Sequence, residues 1–190
     1  TSVNPQFYAA LDTGADNGGL WLVLGQSAPQ LPVAVELSSA GTADYTGLTV
    51  NGSIGSYDLL AGTASGDLIS SANGGATWQH AYRKPGGQQL TAVAETGNAR
   101  YASTRGSHSG LFKSVDGGLN WTPLAFIDDN TGTLVEIVAS PQYQTDHALY
   151  LLSFNSGHIL WRTEDDGLSW RKILGAGDFD INTIDLVKTA

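Results

Sequence analysis

Four aspartates are the residues of this chain best suited by type and position to acid–base chemistry. Asp128 and Asp129 fall in one turn-rich stretch, Asp178 and Asp180 in another. Two carboxylates held ~5–10 Å apart across a sugar ring serve as acid and base, or acid and nucleophile, in glycoside hydrolysis. One member of each pair facing the other would be such an arrangement. With 18 acidic residues in 190, however, pairs of this kind also arise by chance, and no catalytic residue is assigned. A second group, His80, Tyr82, Arg83 and Lys84 with Arg105 and His108, could form a basic and aromatic ligand-binding face, with Asp16 joining the acidic one. The plain reading of both groups is solvated loop residues, because charged side chains are mostly exposed whatever they do.

Other chemistries find less support. His80, His108, His147 and His158 show no metal-ligand spacing, and Asp116-Gly117-Gly118 and Asp165-Asp166-Gly167 offer too few oxygens for a calcium loop of the EF type. No glycine-rich turn sits in a strand–loop–helix context with the lysine of a phosphate loop. Neither a metal nor a cofactor is expected. Nine basic against 18 acidic residues give a net charge of −9, which repels phosphate backbones, so nucleic acid is an unsuitable partner. Cysteine is absent, which removes disulfides and thiolate metal sites and leaves the redox compartment open. No apolar run reaches the ~18 residues needed to span a bilayer as a helix. Thr1 in place of Met points to a processed or trimmed chain, compatible with a removed leader or anchor. Asn51-Gly52-Ser53 and Asn120-Trp121-Thr122 match the glycosylation pattern, read as coincidence.

The elements that would have to position these residues are announced by a repeat. Ser71-Ala72-Asn73-Gly74-Gly75-Ala76-Thr77-Trp78, Ser114-Val115-Asp116-Gly117-Gly118-Leu119-Asn120-Trp121 and Thr163-Glu164-Asp165-Asp166-Gly167-Leu168-Ser169-Trp170 share the frame [Ser/Thr]-x-[Asp/Asn]-x-Gly-x-x-Trp. A window matches it by chance on the order of once in a hundred thousand tries. In each copy the third residue (Asn73, Asp116, Asp165) can accept backbone N–H bonds, and Gly75, Gly118 and Gly167 can supply φ > 0. Ser71, Ser114 and Thr163 can tie the turn down, while Trp78, Trp121 and Trp170 offer a large apolar face. The frame therefore predicts a hairpin tip with a buried tryptophan.

An apolar pair precedes each turn: Leu68-Ile69, Leu111-Phe112 and Leu160-Trp161, with a fourth pair at Leu20-Trp21. Their spacings of 48, 43 and 49 define a unit of roughly 45 residues holding several short strands, the expected period of a propeller blade. Glycine at 24 of 190 and a hydrophobic content of 41% fit an all-β domain with many tight turns. First strands are predicted at 48–50, 90–94 and 134–138, and second strands at 59–61, 101–103 and 149–152, with imperfect apolar alternation. The run at 7–11 matches a second strand and the run at 181–187 a first strand. One blade is thus split between the termini, and its own turn has decayed to Val23-Leu24-Gly25-Gln26-Ser27.

The eight-residue frame resembles the Asp-box, or BNR repeat, of β-propellers such as sialidases, the sortilin luminal domain, oligoxyloglucan-type glycosidases and the photosystem II stability factor. The resemblance covers the whole chain through three good motifs and one decayed repeat. It implies an all-β propeller of four-stranded antiparallel blades: a single domain over 1–190, or part of one, with blades at about 7–37 plus 181–188, 46–82, 90–126 and 133–174. Four units suit a small closed ring, which the matching termini favour, or an arc of a larger one, which the resemblance favours. Sialidase catalysis is not carried over, because the Phe/Tyr-Arg-Ile-Pro motif is absent and Arg83, Arg100, Arg105, Arg162 and Arg171 yield no assignable triad. Ser140-Pro141-Gln142-Tyr143-Gln144-Thr145-Asp146 resembles the link between strands one and two in bacterial secreted Asp-box proteins, with Pro141 ending a strand and Asp146 bracing a turn.

In an up-and-down blade the turns carrying the frame and the longer 4–1 and 2–3 connections fall on opposite ends. Function is expected on the longer connections, at 79–89, 122–133 and 171–182 with 13–18, 104–109 and 154–157. The expected role is a non-catalytic, extracytoplasmic module (secreted, cell-surface or periplasmic) that binds a protein or a carbohydrate. The alternatives are a glycosidase, or a sugar-binding part of one, and an assembly factor of a membrane complex.

Overall fold

The local chemistry of the three turns sets the architecture. In a computed structural model describing residues 6–15, 17–25, 31–53, 56–86, 89–106, 110–124, 132–175, 177 and 184, each turn closes with one set of bonds. The first hydroxyl accepts the N–H of the fifth residue: Gly75 to Ser71 at 2.9 Å, Gly118 to Ser114 at 3.0 Å, Gly167 to Thr163 at 3.1 Å. Oδ1 of the third residue accepts the N–H of the seventh, at 2.9, 2.9 and 2.8 Å for Asn73, Asp116 and Asp165. The tryptophan indole N–H returns to the carbonyl of the fifth residue, at 3.1, 2.8 and 3.1 Å for Trp78, Trp121 and Trp170. That fifth residue has φ of 91°, 89° and 88°, where a side chain is strained. A Cβ on Gly75 would also meet Leu37 Cδ1 at 2.7 Å.

These turns join the third and fourth strands of regular antiparallel sheets. β4 (Tyr45–Ser53), β5 (Ser56–Thr63), β6 (Leu68–Ser71) and β7 (Gln79–His80) form the second blade. β8 (Gln89–Glu95), β9 (Arg100–Arg105), β10 (Gly110–Ser114) and β11 (Thr122–Pro123) form the third. β12 (Thr133–Ala139), β13 (Leu149–Phe154), β14 (His158–Thr163) and β15 (Arg171–Leu174) form the fourth. The first blade comprises β1 (Gln6–Leu11), β2 (Gly19–Leu24) and β3 (Val33–Glu36). A terminal strand at 181–187 as its fourth member falls, apart from Ile184, outside the described residues.

Apolar clusters fill the spaces between consecutive blades. Leu20 and Tyr45 meet Ala61 and Ile69 between blades one and two; Leu60 and Leu68 meet Leu90, Ala102 and Trp121 between two and three. Tyr101 and Leu111 meet Leu134, Leu149, Leu151 and Trp170 between three and four. β5 and β13 are therefore buried on both faces, which is why Leu59-Leu60-Ala61 and Leu149-Tyr150-Leu151-Leu152 read as continuous apolar runs. Sheets with an in-order meander, packed face to face in sequence, make an all-β propeller. After β12, Ser140 Oγ donates to Asp146 Oδ2 at 2.7 Å and Asp146 Oδ1 accepts Ala148 N–H at 3.0 Å, bracing a single helical turn, α1 (Tyr143–Asp146).

The turn aspartates carry a pH signature. The N–H and side-chain amide of Asn120, with Ser114, hold the Asp116 carboxyl down at about 2, and the Ser169 hydroxyl, with Thr163, does the same for Asp165. A carboxyl depressed below its ordinary 3.8 contributes stability that is full above that value and lost as pH falls through the folded value. Blade two shows the neutral version, in which Asn73 Nδ2 donates to Thr77 Oγ1 at 2.9 Å. The double variant Asp116→Asn/Asn120→Thr should therefore lose less stability than the parent between roughly pH 4 and pH 2, followed by circular-dichroism melts. An unchanged acid slope would show that the charge on Asp116 contributes nothing.

Candidate functional site

The first strands β4, β8 and β12 each stand at the edge of their sheet, so one side of each backbone is left unpaired within the blade. All three break register at the same place: between Tyr45 and Gly47, Leu90 and Ala92, and Leu134 and Glu136. Each break inserts one extra residue, Thr46, Thr91 or Val135. Such bulges re-aim a side chain and bend the strand. Here the three inserted residues line one cavity of about 320 Å³ between the blades. Thr46 Oγ1 donates across the blade boundary to Leu90 O at 2.9 Å, and the Thr91 and Ser103 hydroxyls are 2.7 Å apart.

That cavity continues in both directions as an axial groove. Toward the 2–3 connections it adjoins a space of about 240 Å³ lined by Gln89, Arg105 and Thr133; toward the frame-bearing turns, one of about 580 Å³ lined by Glu95, Glu136 and Ile184. The groove is thus basic at one end and acidic at the other. Glu136 Oε2 accepts the Ile184 N–H at 2.7 Å. The Glu95 side chain is 4% exposed, and its Oε1 receives Arg100 Nε at 3.1 Å. Glu95 Oε2 is buried without a hydrogen-bond partner among the described residues. Burial pushes the Glu95 carboxyl up, Arg100 opposes the shift without cancelling it, and Asp58 adds to it.

The residues singled out from the sequence are dispersed. Asp16, Asp128, Asp129, Asp178, Asp180 and His108 lie outside the described residues. The connections expected to begin at Gln79, Thr122 and Arg171 open instead with fourth strands, so His80 is an exposed strand residue. Lys84 pairs with Asp67 of its own blade at 2.8 Å. Tyr82 is 80% exposed; its N–H and that of Arg83 both donate to Leu119 O, and Trp121 N–H donates to Arg83 O. That connection is stitched to the next blade's frame, so turns and connections are not wholly segregated. Arg105 donates to Gln89 Oε1 and, among the described members of the group, is the one that lines the groove. No hydrogen bond or ion pair joins any two of His80, Tyr82, Arg83, Lys84 and Arg105.

Glu95, Glu136 and the bulges were not anticipated from the sequence. The available signal was a spacing of three between inward apolar residues, Tyr45 and Leu48, Leu90 and Val93, Leu134 and Ile137, where a regular strand allows two or four. Among the described residues no cluster of three or more histidines or carboxylates is arranged to hold a metal ion, and no helix is long and apolar enough to cross a membrane.

The sequence matches no known protein-family profile and no curated protein. Solved structures match in fold. A GH74 xyloglucanase from Xanthomonas campestris aligns over 89% of this chain and 28% of its own, at 16% identity and a TM-score of 0.64. A GH74 enzyme from Niastella koreensis aligns over 91% and 29%, at 20% identity and a TM-score of 0.61. YCF48 in a complex described as bound to D1 peptide aligns over 90% and 45%, at 14% identity and a TM-score of 0.54. The chain spans less than half the length of these structures, and the likeness is one of β-propeller fold.

Proposed function

We propose that this chain is an Asp-box β-propeller module that binds an extended polypeptide along its axial groove and performs no chemistry on it. The groove is the observation that supports this reading. Three bulged edge strands offer unpaired main-chain groups, the means by which sheet edges take up an extended peptide. Arg105 at one end and Glu136 at the other favour a peptide placing a cationic side chain toward the acidic end. Among the described residues, none that lines the groove's three spaces is a tryptophan or tyrosine, so the described lining offers a sugar ring no aromatic face to stack on. A YCF48 propeller is described as bound to a D1 peptide, and peptide capture by this fold supports the proposal. A peptide from a membrane complex belongs to the same partner class, and extracytoplasmic placement is part of the proposal. The glycosidase reading rests on Asp128, Asp129, Asp178 and Asp180 and gains nothing from the described groove.

The test is a dodecapeptide array probed with the labelled chain, alongside incubation with xyloglucan. The expected outcome is binding concentrated on peptides containing Lys or Arg, weakened about fivefold by Glu136→Gln, with xyloglucan left intact. Hydrolysis of xyloglucan, or peptide binding indifferent to Glu136→Gln, would overturn the reading.

A further inference from the structure

At the junction of blades three and four, a basic side chain of one blade reaches an acidic side chain in the turn of the next. Lys113 stands opposite Tyr101 in the β9–β10 ladder. Its Nζ lies 5.5 Å from the Tyr101 ring centroid and 3.9 Å from Asp166 Oδ2. Asp166 is the fourth residue of its turn, at φ 60°, and is further held there by Tyr143 Oη and by His147 Nδ1, the latter at 3.1 Å. Between blades two and three both halves of the ion pair are missing. Ser70 occupies the cation's place opposite Leu60, and Gly117 is the fourth residue of the receiving turn. Cation and carboxylate are present together or absent together.

Blade four repeats the cationic half on its far face. Arg162 stands opposite Tyr150 in the β13–β14 ladder, with its guanidinium carbon 5.7 Å from the Tyr150 ring centroid. Its Nη2 is 2.7 Å from Glu164 of its own turn, which Arg171 also approaches at 3.6 Å. Arg162 Nε is buried and has no hydrogen-bond partner among the described residues. Arg162, Arg171 and Asp165 line a cavity of about 180 Å³ whose described lining comes from blade four. The repeat-equivalent cavity on blade two, of about 270 Å³, is completed by Arg100, Asp116, Gly117 and Leu119 of the following blade. Repeat alignment gives blade one an uncharged residue, Gln26, at the fourth position of its turn.

We propose that the Arg162–Tyr150 face of blade four is a docking surface for the turn of a further Asp-box blade, one outside the four of this sequence, carrying Asp or Glu as its fourth residue. Charge complementarity selects the occupant: the same basic-over-tyrosine pair, one blade earlier, receives Asp166. The inference is independent of the axial groove.

The probe is a head-to-tail cyclised hairpin peptide of residues 158–174, which presents Asp166 in its turn, labelled and titrated against the full 190-residue chain by fluorescence anisotropy. Cyclisation removes most of the ordering cost. The expected result is saturable binding weakened about tenfold by Arg162→Ala, and equally by Asp166→Asn in the peptide, while Lys113→Ala leaves it within about twofold. Tyr150→Leu, which keeps the bulk but removes the ring, should weaken binding in the same direction, and melting curves establish that each variant is folded. Undiminished binding by Arg162→Ala, equal binding of the Asp166→Asn peptide, or no saturation into the millimolar range would overturn the proposal. So would loss of binding in Lys113→Ala alone, which would mean that the peptide replaces blade four on blade three.

Discussion

Trp121→Ala should lower the folding stability by ~3–5 kcal/mol, the range for emptying a core site of this size, and the melting temperature by roughly 6–20 °C for a domain of this length. Trp121 is 2% exposed and packs with Leu60 and Leu68 of the preceding blade and with Leu90, Ala102 and Phe112 of its own. Its indole N–H satisfies Gly118 O at 2.8 Å, and its backbone N–H holds Arg83 O at 2.9 Å, so the cavity would open where two blades and a connecting segment meet. Trp78 is an internal comparison. It has the same place in the frame but is only partly buried, packed at the margin of the cluster between blades one and two. Trp78→Ala should therefore cost less. Urea denaturation of both variants checks the pair of expectations; equal costs, or a near-zero cost for Trp121→Ala, would contradict the packing described.

Glu95→Ala should also cost ~3–5 kcal/mol, because it leaves Arg100 buried without its counter-charge. The Arg100 side chain is 8% exposed and, among the described residues, keeps its bond to Gly117 O. The repeat supplies the rescuing variant. Glu95 and Arg100 face each other in the β8–β9 ladder where blade two pairs Val50 with Leu59. Glu95→Val combined with Arg100→Leu installs that apolar pair and should recover stability to within ~1 kcal/mol of the parent, since replacing a whole buried ion pair is often neutral or better. If the double variant is as unstable as the single one, the pair is not an exchangeable packing unit. The pH dependence has a definite sign. Burial raises the Glu95 carboxyl above its ordinary 4.5, so its contribution is full at low pH and is lost as pH rises through the folded value. Relative to Glu95→Gln, the parent should lose stability as pH rises above about 4.5.

The turns were legible in the sequence because every bond that makes them joins residues at most four apart. Ser114, Asp116, Gly118 and Trp121 satisfy one another whatever lies beyond, and the same spacing at Ser71 and Thr163 gives the same geometry. β5 and β13 were legible because burial on both faces leaves an unbroken apolar run at 59–61 and 149–152. The first strands were less so. A bulge at Thr46, Thr91 and Val135 shifts the alternation by one residue, and a period-two reading takes that shift for noise.

The blade was readable before any fold was known, in its length, its strand order, the turn that closes it and the tryptophan that anchors it, because all of these follow from short-range hydrogen bonding and local patterning. Which side chains meet emerged only once the blades were packed together. Glu95, Glu136 and Arg105 come to one groove from two blades, and Lys113 finds Asp166 across 53 positions of sequence. The physical reason is that a propeller places repeat-equivalent residues at equivalent points around an axis, so a residue's neighbours lie about one period away and not beside it in the chain. The fourth turn position is matched to what the adjoining blade presents: Asp166 meets Lys113, whereas Gly117 faces a blade with Ser70 at the cation's place.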